Sequence, residues 1–156
     1  MTTSHDLALL DANILVYADQ EEDEHHKAAK ALRDRGQRGE LSLCITPQVL
    51  NEYFAVITSP RRITHPLEPA VAMAEVEKYV HSRHIRKIYP TPAVHDYIRS
   101  LFQQHPVAGP GIFDLYLAAT MLSNGVKRIY TYNTKHFAPF SEIEALTPPE
   151  PESTPA

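Results

Sequence analysis

The chain has 156 residues, 43% hydrophobic and 22% charged; this is one domain's worth of ordinary globular protein and excludes a collagen-like, coiled-coil or disordered chain. Fifteen Lys and Arg against nineteen Asp and Glu give a formal net charge of -4, which speaks against wrapping duplex DNA by bulk electrostatics, so any nucleic-acid contact is local. A single cysteine, Cys44, allows no internal disulfide; with no basic flank leading into an apolar run and no stretch near the ~18 residues of a membrane helix, the expectation is a cytoplasmic protein without membrane contact.

In chain order, Leu7 to Leu10 is a short apolar run that stops at Asp11, as a buried parallel strand would. Ile14 to Ala18 and an acidic turn, Asp19 to Glu24, precede an alanine-rich segment, His25 to Arg35, that predicts a helix ended by Gly36 and Gly39. Leu41 to Ile45 reads as a second strand, followed by Thr46 as N-cap and Pro47 as first helical residue. Val49, Leu50, Tyr53, Phe54 and Ile57 then form one apolar stripe, with Glu52 about 130° from its centre. Ser59 to Pro66 is a basic, proline-bounded loop, and Pro69 to Arg83 returns to helical periodicity. A third strand is expected over Ile85 to Tyr89, then a helix opened by Pro92 and running to about Gln104. The loop Pro106 to Gly111 leads into a helix from Ile112 to about Asn124, closed by Gly125. Arg128 to Tyr132 is a fourth strand ending at Asn133, and Ile143 to Leu146 a short last one. Strands alternating with helices predict a three-layer α/β/α sandwich around a mostly parallel sheet. Residues 147–156, rich in Pro and Glu, read as an extended, mobile tail after a domain at 1–146.

In such sheets ligands bind beyond the carboxyl ends of the strands. Asp11, Thr46 and Asn133 fall at such ends, Glu52 lies in the helix after the second strand, and Asp114 lies in the first turn of a late helix. Asp11, Glu52 and Asp114 each sit among apolar neighbours, where desolvation raises a carboxylate's pKa unless a cation or hydrogen bonds compensate. Singly, each also fits an N-cap, a helix-dipole contact or a solvated edge. Together they point to a hard divalent cation, and oxygen ligands without a Cys or His cluster favour Mg2+ or Mn2+ over zinc.

Four strings, Leu9 to Ala18, Pro47 to Tyr53, Ile112 to Thr120 and Thr131 to Phe137, stand in an order and spacing that resembles the PIN-domain ribonucleases, especially the VapC-type toxins of toxin-antitoxin pairs. The resemblance covers roughly residues 7 to 146 and implies a PIN-like fold. It implies a metal-dependent endoribonuclease with Asp11, Glu52 and Asp114 as acidic ligands, direct or through water. Asn13 and Thr131 would orient those ligands. Bound Mg2+ or Mn2+ would activate a water for hydrolysis of RNA, leaving a 3′-hydroxyl and a 5′-phosphate. The resemblance further implies a cognate antitoxin and a homodimer. Many relatives carry a fourth carboxylate where this chain has Asn133, or three residues on, where it has His136; an amide brings no negative charge. The alternative is therefore a catalytically weak or silent PIN-fold module that binds RNA or protein.

Arg61, Arg62 and His136 are candidate RNA contacts, against the ordinary reading of solvated surface groups, and Tyr53 or Tyr116 could stack on a base. Gly109-Pro110-Gly111 lacks the Lys and preceding strand of a phosphate-binding loop, and His25 and His26 beside Asp23 and Glu24 read as a helix start.

Overall fold

A computed structural model describes residues 6–152. Five strands, β1 (Ala8–Leu10), β2 (Leu43–Ile45), β3 (Arg86–Lys87), β4 (Arg128–Tyr130) and β5 (Glu144–Leu146), form one sheet in the order β3-β2-β1-β4-β5. All four pairings are parallel. Parallel neighbours need crossovers, and helices supply them. α1 (Ala12–Asp19) and α2 (His26–Gln37) join β1 to β2, while α3 (Pro47–Ile57) and α4 (Pro69–Val80) join β2 to β3. α5 (Val94–Gln104) and α6 (Gly111–Ser123) join β3 to β4, and α7 (Thr134–Phe137) precedes β5. This is the expected α/β sandwich. Every residue of β1 and β2 is buried, as strands covered on both faces must be. Leu9 lies opposite Cys44 on one side and Ile129 on the other, and these three side chains occupy the centre of the core.

The strand order reverses beside β1: the chain moves outward through β2 and β3, then returns to β4 on β1's other side. That reversal opens a crevice at the carboxyl ends of β1 and β4, where Asp11 and Thr131 follow directly.

Several predicted boundaries shift. Gly36 lies inside α2 instead of ending it, because only a hydrogen fits there; an added Cβ would stand 2.5 Å from Leu43 Cδ1. Gly39, with φ of 77°, supplies the left-handed turn that follows. The third strand shrinks to Arg86–Lys87, and the helix expected from Pro92 begins at Val94. Arg128 to Tyr132 is strand only as far as Tyr130; Thr131 still donates its N–H to Leu146 O at 2.9 Å, and its hydroxyl donates to Asp11. Thr46 is the predicted N-cap, its Oγ1 accepting from Val49 N at 3.1 Å, with Pro47 in the first turn. Residues 147–152 contain no helix or strand; the rest of the expected tail, 153–156, and the first five residues lie outside the described residues. Among the described residues no helix is long and apolar enough to cross a membrane.

Candidate active site

Asp11 is 7% exposed and caps α1, its Oδ1 accepting from Ala12 N at 2.7 Å. Its own N–H donates to Tyr130 O at 3.0 Å, tying the end of β1 to β4. Thr131 is fully buried, and its Oγ1 is used to capacity. The hydroxyl donates to Asp11 Oδ2 at 2.7 Å and accepts from Asn133 N at 2.9 Å and Asn13 Nδ2 at 3.2 Å. Asn13 Oδ1 accepts in turn from Tyr132 N at 3.2 Å. Asn13 and Thr131 therefore join Asp11 in one hydrogen-bonded cluster.

Glu52 is half-buried on the flank of α3. Gln48, one turn earlier, donates its amide to Glu52 Oε1 at 3.2 Å and to Phe113 O at 2.9 Å, clamping α3 to the first turn of α6. Asp114, in that turn, is half-buried, and its Oδ2 lies 3.3 Å from His136 Nδ1.

Burial raises all three acids above the ordinary carboxylate range. At Asp11 burial outweighs the bonds from Thr131 and Ala12, and the charge of Asp114 adds to it; Glu52 is raised further by Asp11 and Asp114. Three carboxylates from three elements thus stand close enough to repel one another. None is paired with a Lys or Arg among the described residues; His136 is the nearest cation-forming group. Among the described residues no three His, Cys, Asp or Glu are close enough together to hold an ion. That excludes a closed all-protein cage, whereas Mg2+ keeps several waters and takes only one or two carboxylates. The donor set, oxygen-only and repulsive when empty, fits such a cation.

Asn133 has an exposed side chain that caps nothing. His136 is brought to the acids. Arg61 and Arg62 are not: both are exposed beyond the C-terminal end of α3, and no hydrogen bond or ion pair joins them to the carboxylates. Tyr53 cannot stack on a base, because it is fully buried and donates its hydroxyl to Asp19. Tyr116 is half-buried beside Glu52. Gln48 escaped the sequence reading, although its spacing of four from Glu52 on a helix is the signal that finds it.

Comparison with known proteins agrees with this fold. A family model described as PIN domain matches residues 8–143. Ribonuclease VapC48 of Mycobacterium tuberculosis is 25% identical over 138 residues, covering 88% of this chain and 94% of that protein. Among solved structures, Mycobacterium tuberculosis VapC20, described as a sarcin-ricin loop cleaving toxin, superposes with a TM-score of 0.60 at 18% identity, over 85% of this chain and 93% of that one. A toxin-antitoxin complex from Klebsiella pneumoniae gives 0.59 at 18% identity, over 92% and 98%.

Proposed function

The chain belongs to the PIN domain family, and from that premise we propose that it is a Mg2+- or Mn2+-dependent endoribonuclease, the toxin of a toxin-antitoxin pair. The observation that carries the reading is that Asp11, Glu52 and Asp114 come from three elements to within range of one another's charge, with no Lys or Arg paired to them among the described residues. The names of similar proteins, a ribonuclease, a sarcin-ricin loop cleaving toxin and a toxin-antitoxin complex, point the same way.

Asp11, Glu52 and Asp114 would hold the cation, directly or through water. When bound, it supplies positive charge against the scissile phosphate and lowers the pKa of a water. The rest of the work falls to the chain's own residues. Thr131 and Ala12 fix both oxygens of Asp11, so the carboxylate needs no reorganisation. Gln48 fixes Glu52, and His136 places its Nδ1 beside Asp114 Oδ2. Attack by water leaves a 3′-hydroxyl and a 5′-phosphate. As a toxin, the chain would meet an antitoxin polypeptide at this cleft and form a homodimer.

Cleavage of single-stranded RNA with and without EDTA tests the reading. Asp11→Ala and Asp114→Ala are each expected to lower the rate by at least about a hundredfold, as loss of a charge-stabilising group does. Activity untouched by EDTA or by both substitutions would refute it. Asn133, neutral and exposed at the fourth acidic place, favours the second reading, a silent RNA- or protein-binding module. Calorimetry separates the two: Mn2+ binding at millimolar concentration supports the nuclease, and its absence supports the module.

A further inference from the structure

Asp114 belongs to two places at once. It stands with the acids, and it also ends a groove of about 390 Å³ between the start of α6 and α7, lined further by His105, Val107, Lys135, His136 and Phe140. His105, Lys135 and His136 can each present an N–H, and Asp114 is the one acid beside them. A chain of net charge -4 thus gathers donors where its acidic cluster ends.

Two of these donors are uncommitted. Lys135 is exposed and makes no hydrogen bond or ion pair among the described residues, whereas Lys30, Arg33, Arg38 and Lys78 are held by neighbouring carboxylates. His105 is exposed as well; its backbone N–H donates to Leu101 O at 2.8 Å, and its ring stands edge-on to Phe140 with centroids 6.3 Å apart. Packing fixes both walls. Phe137 and Phe140 are buried beneath α7. On the other wall Gly111 lets the preceding loop close on α6, since a Cβ there would stand 3.2 Å from Val107 Cβ.

The groove on the Glu52 side of the acids differs. Pro47, Gln48, Phe113, Tyr116 and Thr120 are among the described residues lining it, and no Lys, Arg or His is. A single strand cleaved at the acids carries a phosphate at each neighbouring nucleotide, and such phosphates are held by cations and N–H groups. Of the two grooves, the one along α7 offers them. We infer that the substrate strand leaves the acids over α7, with the phosphate next to the cleaved bond bound by Lys135 and His105. The inference rests on the ribonuclease reading and adds to it a direction for the strand and two binding residues. Contacts of this kind position a strand and raise affinity alike for every sequence.

Fluorescence anisotropy of labelled single-stranded RNA in EDTA, over a series of salt concentrations, tests this with the wild type, Lys135→Gln, His105→Gln and Lys127→Gln. Lys127 is exposed just before β4, at the end of that strand away from Asp11, and controls for net charge. Lys135→Gln should lower the slope of log affinity against log salt by about 0.7, the share of one phosphate on a single strand, which is about fivefold in affinity at 0.1 M salt. The loss should be equal for RNAs of different sequence. His105→Gln should also bind more weakly, and Lys127→Gln should match the wild type. A slope unchanged in Lys135→Gln, or lowered equally in Lys127→Gln, overturns the subsite and leaves the nuclease reading standing. A wild type that neither binds RNA in EDTA nor cleaves it with Mn2+ overturns both. Cleavage of RNAs carrying one uncharged methylphosphonate on either side of the cleaved bond reads the direction. On one side alone, the neutral link should lower the wild-type kcat/KM about fivefold and have no further effect in Lys135→Gln. Equal effects in the two proteins overturn the assignment.

Discussion

Replacing Thr131 by valine keeps the shape of a fully buried side chain and removes one oxygen that makes three hydrogen bonds. The bond to Asp11 goes to a charged group and is worth about 1.5–3 kcal/mol, and the Asn133 N–H left behind costs about 1 kcal/mol more. Thr131→Val should therefore destabilise by about 3 kcal/mol where Asp11 is ionised, a fall in Tm of roughly 6–12 °C for a domain of this size. The effect is also pH-dependent. Burial holds the Asp11 pKa above its ordinary value in the folded protein, so the folded state binds more protons than the unfolded state between the two values. Stability falls as pH rises through that window and is level above it. The Thr131 hydroxyl pulls the Asp11 pKa down; without it the window extends upward. The gap between wild type and variant is thus largest above that window, where Asp11 is ionised in both proteins, and shrinks below it, where a protonated Asp11 has little need of the donor. Urea denaturation at one pH above the window and one below it, with an Asp11→Ala cycle, measures this. Equal gaps at the two pH values, or coupling below about 0.5 kcal/mol, would refute the reasoning.

Tyr53→Phe removes the hydroxyl donated to Asp19, leaving that carboxylate the Arg33 Nη1 contact at 2.9 Å among the described residues; a loss of about 1.5–2 kcal/mol is expected by denaturant titration, and none would mean the buried hydroxyl bond adds nothing. Gly36→Ala gains about 1 kcal/mol of helix propensity but drives a methyl into buried Leu43, so a net loss of about 1 kcal/mol is expected, and a raised Tm would disprove the contact. The Cys44 thiol is fully buried and its pKa is pushed up to about 12 by desolvation. At pH 8 the folded protein should therefore react with a disulfide reagent at least roughly a thousandfold more slowly than the urea-unfolded chain, and comparable rates would contradict this burial.

What could be read from sequence is what local physics decides. Thr46 before Pro47 is a helix start in any context, and Leu7 to Leu10 and Leu41 to Ile45 are too apolar and too short to be anything but buried strand, so the layered sandwich follows. The three acids were legible for the same reason, as charges set in apolar runs. What depended on a distant neighbour was not legible. Gly36 sits inside a helix with Leu43 packed against it, Thr131 gives its hydroxyl to Asp11 just past the end of β4, and the buried Tyr53 hydroxyl finds its acceptor in Asp19.

The candidate site belongs to this second class more than its acidic residues suggest. Asp11 and Thr131 stand 120 positions apart, and nothing local says that β4 returns to the side of β1 left open by β2. Had β4 paired beyond β3, the same strands and helices would form, yet Asp11 would lose its donor and the acids would not share a crevice. The strand order is set by the interior, where Leu9 meets Cys44 on one side and Ile129 on the other. Truncating Leu9, a fully buried core side chain, should therefore cost the roughly 2–5 kcal/mol usual for a core leucine. In whatever fraction remains folded, it should also loosen the Asp11–Thr131 bond, seen as a further rise of the Asp11 pKa by NMR titration. An unchanged Asp11 pKa in Leu9→Ala would show that the crevice holds its geometry without the packing beneath it.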